Sequence, residues 1–228
     1  MKKALIISSL LLLLVSGAIL LNKRYFNHKQ LKKQQQSTWN THTNKNTEGI
    51  HNGDLIFQTS LSAQSQAIQL ATKSEYSHCG IIYKNGSAYY VFEAVQPVKL
   101  TPLSTWIDRG KDKKFVIKRL KNADEVLTPA VLLKMKQVGD QFKGKNYDLT
   151  FEWSDDKIYC SELIWKIYQR AAGIELGTPE KLKDFDLSNE IVKKKMKERY
   201  GERLPMEETV ISPAAIFNSD LLITVKSI

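Results

Sequence analysis

The dipeptide Asn85-Gly86 interrupts two runs rich in aromatic and β-branched residues, in SHCGIIYKNGSAYYVFE, and commits residues 77–93 to a β-hairpin. Asn-Gly is the strongest short-range hairpin signal because a type I′ turn requires positive φ at both central residues. Counting outward from an Asn85-Gly86 turn sets Lys84 opposite Ser87 and His78 opposite Glu93. Directly opposed residues share a face, with Cβ atoms roughly 4.5–5.5 Å apart. The Glu93 carboxylate then reaches the His78 ring, orients it and favours its protonated form. A strand also alternates its side chains, so Cys79 is expected to point away from His78, opposite Phe92.

A base with an orienting carboxylate calls for a nucleophile, and Cys160 in KIYCSELIWKIYQRAAG is the candidate. Leu163, Ile164, Ile167, Tyr168 and Ala171 recur at helical spacing, and Gly173 is a natural stop. Cys160 therefore falls at the first turn of a helix. The unpaired N–H groups and positive dipole end there lower a thiol pKa and offer a hydrogen bond to an oxyanion. Taken from the residues alone, a strand histidine facing a glutamate is more often a surface or structural pair, and a lone cysteine such as Cys160 is commonly an inert core thiol.

The segments GDLIFQTSLSAQSQAIQLATKSEYSHCGIIY, YYVFEAVQPVKLTPLSTWI, FEWSDDKIYCSELIWKIYQ and FDLSN resemble the YaeF/YiiX group. That group is a circularly permuted branch of the papain-like, NlpC-type cysteine hydrolases. The likeness runs from about Gly53 to TVISPAAIF. It implies an α+β fold with an antiparallel sheet packed on the helix that carries the cysteine. Permutation accounts for the histidine hairpin preceding the cysteine in the chain. By motif, the family nucleophile falls on Cys160, its histidine on His78 and its acidic partner on Glu93. The expected function is a cysteine amidase or peptidase working through an acyl-enzyme on small peptide or cell-wall-derived amides, without cofactor. A lipid acyltransferase or thioesterase on the same fold is the alternative, and a membrane-tethered, non-catalytic binding module the remaining one.

Nearby residues carry secondary expectations. Tyr159, Ser77 and Asp156 are candidates for contacting substrate, with packing the competing role for Tyr159. Asp155 or Asp156 is expected to cap or charge the start of the cysteine helix. Because His78 and Cys79 point oppositely on this reading, a Cys79–Cys160 disulfide conflicts with a His78–Cys160 pair, and Cys79 is expected to be a buried free thiol.

The N-terminus has a different character. Lys2 and Lys3 precede an uncharged stretch, residues 4–21, which suits a signal peptide or a membrane anchor. Export is the expectation, either cleaved to the periplasm or membrane-anchored, with a cytoplasm-facing anchor as the alternative, because Lys23, Arg24, Lys29, Lys32 and Lys33 follow the apolar run. Residues 1–33 hold seven of the 34 cations and no acid. The remaining 27 cations against 24 acids leave a nearly balanced domain, with no basic–aromatic stripe for nucleic acid. Residues 22–52 are polar and read as a linker, whose His28, His42 and His51 show no metal-ligand spacing. Residues 53–228 form one domain, in which NEIVKKKMKERYG is expected to be an amphipathic helix with Ile191, Val192 and Met196 inward.

Overall fold

The computed structural model describes residues 24, 26–27, 29–30 and 47–228. The apolar stretch 4–21, expected as a hydrophobic helix, lies outside the described residues. Among those described, no helix is long and apolar enough to cross a membrane.

Six antiparallel strands form the main sheet, in the order β4-β3-β2-β1-β5-β8. They are β1 (Leu55–Gln58), β2 (His78–Asn85), β3 (Ala88–Glu93), β4 (Lys99–Pro102), β5 (Val116–Leu120) and β8 (Leu222–Ser227). β1 is central and every one of its residues is buried, which is why LIFQ lacks a polar alternation. A second, two-stranded sheet joins β6 (Glu180–Lys181) to β7 (Thr209–Val210).

Within residues 47–228, seven α-helices accompany the sheets: α1 (Ser65–Thr72), α2 (Leu103–Asp108), α3 (Ala123–Val126), α4 (Pro129–Asp140), α5 (Cys160–Ala172), α6 (Glu190–Tyr200) and α7 (Pro213–Phe217). Their ends follow local chemistry. Thr128 and Ser212 cap α4 and α7 through their hydroxyls, each followed by proline at the first helical position. Gly173 ends α5 at φ 70°, a left-handed conformation that costs glycine nothing.

The sheet has two apolar faces. Leu55, Phe57, Cys79, Ile81 and Phe92 join the larger core, into which α5 sends Leu163, Ile164, Ile167 and Tyr168. Each such fully buried side chain contributes about 1.5–3 kcal/mol of transfer free energy. Ile56, Ile82 and Val91 form a smaller core on the opposite face with Leu103, Trp106 and Ile107 of α2. Ile50, within the expected linker, is buried in this second core.

The hairpin register differs from the expected one. Asn85 pairs with Ala88 and Ile81 with Phe92, so the two-residue turn is Gly86-Ser87. Gly86 alone has positive φ, 60°, which suits a type II′ turn with glycine first. Moving the turn by one residue slides the pairing by two, an even number, so every side chain keeps its face. Glu93 consequently faces Gly80 rather than His78. In α6, Val192 and Met196 are buried as expected, but Ile191 is 42% exposed: the helix turns it off the inward stripe.

Candidate active site

His78 opens β2, and its ring leans over the end of the sheet. Glu93 Oε2 lies 2.6 Å from His78 Nε2, although the two residues are diagonal neighbours. Gly80 makes that diagonal contact feasible. A β-carbon there would stand 2.3 Å from Val91 Cγ1 and 2.9 Å from the Phe92 carbonyl. With no side chain directly opposite, the Glu93 carboxylate reaches two residues along the strand, a span of roughly 7–8 Å between diagonal backbones.

Glu93 is fully buried and held from three sides. Thr101 Oγ1 donates to Oε1 at 2.5 Å, and Arg109 Nη2 donates to Oε1 and Oε2 at 2.6 and 2.7 Å. Burial opposes its charge, but the bonds from His78, Thr101 and Arg109 hold the carboxyl at a pKa of about 2. Trp106 of α2 stacks on the His78 ring at 5.9 Å between centroids. Thr101, Trp106 and Arg109 carried no signal in the sequence, because β4 and α2 reach the site only through the sheet order.

Cys160 is the first residue of α5, and Tyr159, the preceding cap, makes no side-chain capping bond. The first-turn N–H groups are thus not spent on a capping side chain. Three neighbouring groups perturb the Cys160 thiol: the Cys79 thiol, the His78 ring and the Cys79 backbone N–H. Nε2 of His78 is committed to Glu93, which leaves Nδ1 as the ring nitrogen available to Cys160.

These contacts set the charges. The hydrogen bond from Cys79 comes first. Together with His78, it outweighs burial and holds Cys160 well below an ordinary thiol. Burial alone would lower the His78 pKa, yet hydrogen bonds to Cys160 and Glu93 leave it raised to about 9. Both shifts favour a thiolate–imidazolium pair over the neutral one. Cys79 moves the other way: burial, then the neighbouring Cys160, pushes its thiol well above the usual range.

Cys79 does not point away from the site, contrary to the expectation from strand alternation. It does alternate with His78, but the face it points to is the α5 face. The expectation failed because it placed α5 on the His78 side of the sheet. His78 and Glu93 instead share the face covered by α2, whereas Cys160 belongs to the core of the opposite face. Cys79 and Cys160 are both free, buried thiols.

The secondary candidates separate. Ser77 is buried, but its hydroxyl contacts Ser65 Oγ at 2.6 Å and accepts the Ser60 N–H at 2.9 Å, tying loop to helix. Tyr159 is buried, and its hydroxyl accepts the Ile211 N–H at 3.1 Å. Asp156 is exposed and lies outside the cavity beside Cys160. Neither Asp155 nor Asp156 caps α5. Asp155 instead binds Arg170 and Lys166, farther along the helix, at 2.7 and 2.9 Å.

A cavity of about 680 Å³, its open mouth included, lies beside Cys160. Its floor is fastened to α5, because Ser161 Oγ donates to the Ile211 carbonyl at 2.7 Å. On its rim Gln64 Nε2 donates to Tyr147 Oη at 2.8 Å, and Arg199 donates to the Gln64 carbonyl oxygen.

Comparison with known proteins agrees with this architecture. The family described as "Permuted papain-like amidase enzyme, YaeF/YiiX, C92 family" matches residues 49–226. The uncharacterized protein YiiX of Escherichia coli strain K12 is 50% identical over 173 residues, covering 76% of this chain and 84% of that protein. A crystal structure from Escherichia coli O157:H7, described as metalloprotein yiiX, superposes with a TM-score of 0.75 at 49% identity. It covers 78% of this chain and 97% of the other.

Proposed function

Because the chain belongs to the permuted papain-like amidase family, we propose that it hydrolyses amides through Cys160, His78 and Glu93. The observation that supports this reading is the 2.6 Å contact of His78 Nε2 with the Glu93 carboxylate, beside a Cys160 at the start of α5 whose pKa His78 lowers. The thiolate attacks the substrate carbonyl, forming a C–S bond and an oxyanion that the Cys160 backbone N–H stabilises. Collapse breaks the C–N bond, and the His78 imidazolium gives its proton to the leaving amine. Water then attacks the thioester, yielding its proton to His78; the C–S bond breaks, and a carboxylic acid leaves. Glu93 stays ionised throughout and holds the ring.

The Escherichia coli O157:H7 relative is described as a metalloprotein. Among the described residues of this chain, no group of three or more His, Cys, Asp or Glu side chains is arranged to hold a metal ion, the neighbouring His78, Cys79 and Cys160 included. The steps above run through side chains. The substrate is a small amide or peptide. Residues 4–21 serve, in this proposal, to export the domain or tether it to a membrane.

The test compares wild type with Cys160→Ala on N-acyl amino acid amides, with intact mass recorded during turnover. Hydrolysis by wild type alone, with an acyl adduct on Cys160, is the expected result. Equal turnover by the variant would remove the assignment.

A further inference from the structure

Cys79 on β2 and Cys160 at the start of α5 belong to the same core, on one face of the sheet. Both thiols are free and buried. The thiol and the backbone N–H of Cys79 lie close enough to hydrogen-bond the Cys160 thiol. The reason for expecting no bridge between them, that Cys79 turns away from the cysteine helix, is thus removed. The conflict remains: a Cys160 sulfur bonded to Cys79 cannot serve His78.

The two thiols differ in access and in reactivity. Cys160 lines the open-mouthed cavity, and Cys79 does not. Cys79 has no exposed surface, and its strand lies between β1 and β3. A small oxidant entering by the cavity therefore meets Cys160 first, and His78 and Cys79 favour its thiolate. Cys79 is held as a thiol by burial and by the neighbouring charge. Oxidation of Cys160 to a neutral acid removes that charge and leaves Cys79 the adjoining thiol.

We propose that Cys160 is an oxidative modification site for hydrogen peroxide, and that Cys79 closes it as a Cys79–Cys160 disulfide. In the first step the Cys160 thiolate forms an S–O bond and the O–O bond breaks. The departing hydroxide takes the proton held on His78 and leaves as water. In the second step the Cys79 sulfur attacks the sulfenic sulfur and the S–O bond breaks. The hydroxyl leaves with the Cys79 proton, again as water. The sulfurs are oxidised by two electrons and the peroxide is reduced. The bridge keeps Cys160 from the irreversible sulfinic and sulfonic acids. A dithiol reductant reverses it by exchange and is itself oxidised. Loss of turnover in the bridged form rests on the hydrolase reading above; the bridge does not.

The full-length protein is treated with hydrogen peroxide, and its mass is read before and after dithiothreitol. Turnover of an N-acyl amino acid amide is followed in parallel. Wild type is expected to lose two hydrogen atoms, to yield a non-reduced peptide pair joining Cys79 to Cys160, and to regain its mass in dithiothreitol. Cys79→Ser is instead carried on to the sulfinic or sulfonic acid at Cys160. Each measured against its own untreated rate, wild type recovers about tenfold more activity than Cys79→Ser. Cys79→Ala, which adds no polar atom to the core, repeats the comparison should the serine variant fail to fold. Oxygen adducts on wild-type Cys160 with Cys79 still free overturn the proposal, as does equal recovery by the variants. A bridge formed in a protein that turns over no amide supports the proposal whatever becomes of the hydrolase reading.

Discussion

Glu93 faces Gly80 across the hairpin, yet its carboxylate bonds His78, two residues along the strand. A β-carbon at position 80 would collide with Val91 and the Phe92 carbonyl, the residues that precede Glu93 on its strand.

Gly80→Ala is accordingly expected to damage both stability and rate. Its β-carbon would collide with Val91 Cγ1 and the Phe92 carbonyl, costing about 1–3 kcal/mol. Urea titration measures that loss. A shift of β3 that carries Glu93 with it should lower kcat more than it raises KM, because the ring loses its orientation while Gly80 does not line the cavity.

Alkylation should distinguish the two thiols. An unperturbed thiol slows roughly 80-fold between pH 8 and pH 6, as its thiolate fraction falls. Cys160 is held well below that range, so its alkylation rate should fall far less than 80-fold between pH 8 and pH 6. Cys79, buried and pushed upward, should remain unlabelled in the folded protein. Mass spectrometry of timed samples checks both statements, and His78→Ala should restore the steep dependence.

Glu93→Gln removes the charge that helps hold His78 protonated. The alkaline limb of kcat/KM, expected near pH 9 from the imidazolium, should move to lower pH. The rate at neutral pH should fall about 10²-fold or more. A pH–rate profile of both proteins decides; an unmoved limb would mean that Glu93 does not act through the ring.

Acid stability gives a further test. The Glu93 carboxyl, ordinarily near 4.5 and held at about 2 when folded, contributes stability that is fully present above pH 4.5. That contribution is lost as pH falls toward about 2, and it amounts to ~3 kcal/mol. His78, raised from 6.5 to about 9, contributes stability that is present below 6.5 and lost as pH rises through 9. Cys160 is depressed, so its contribution runs the opposite way and is lost as pH falls. Denaturant midpoints measured from pH 2 to 5 should show the Glu93→Gln difference growing as pH rises and largest above 4.5.

Local sequence determined the elements and the residue types. A turn dipeptide and flanking apolar runs demand a hairpin, and a 3.6-residue apolar stripe ending at Gly173 demands a helix beginning at Cys160. Period-2 alternation places His78 and Glu93 on one face whichever way the turn closes, because register slips here by even steps. Only the tertiary structure decided which face meets α5, and hence that Cys79 stands beside Cys160. It also decided that Thr101, Trp106 and Arg109 enclose the His78–Glu93 pair, and that α1 and α6 leave an apolar space beside the sulfur. Those contacts join residues far apart in the chain, and their free energies depend on burial and sheet order, which no local pattern encodes.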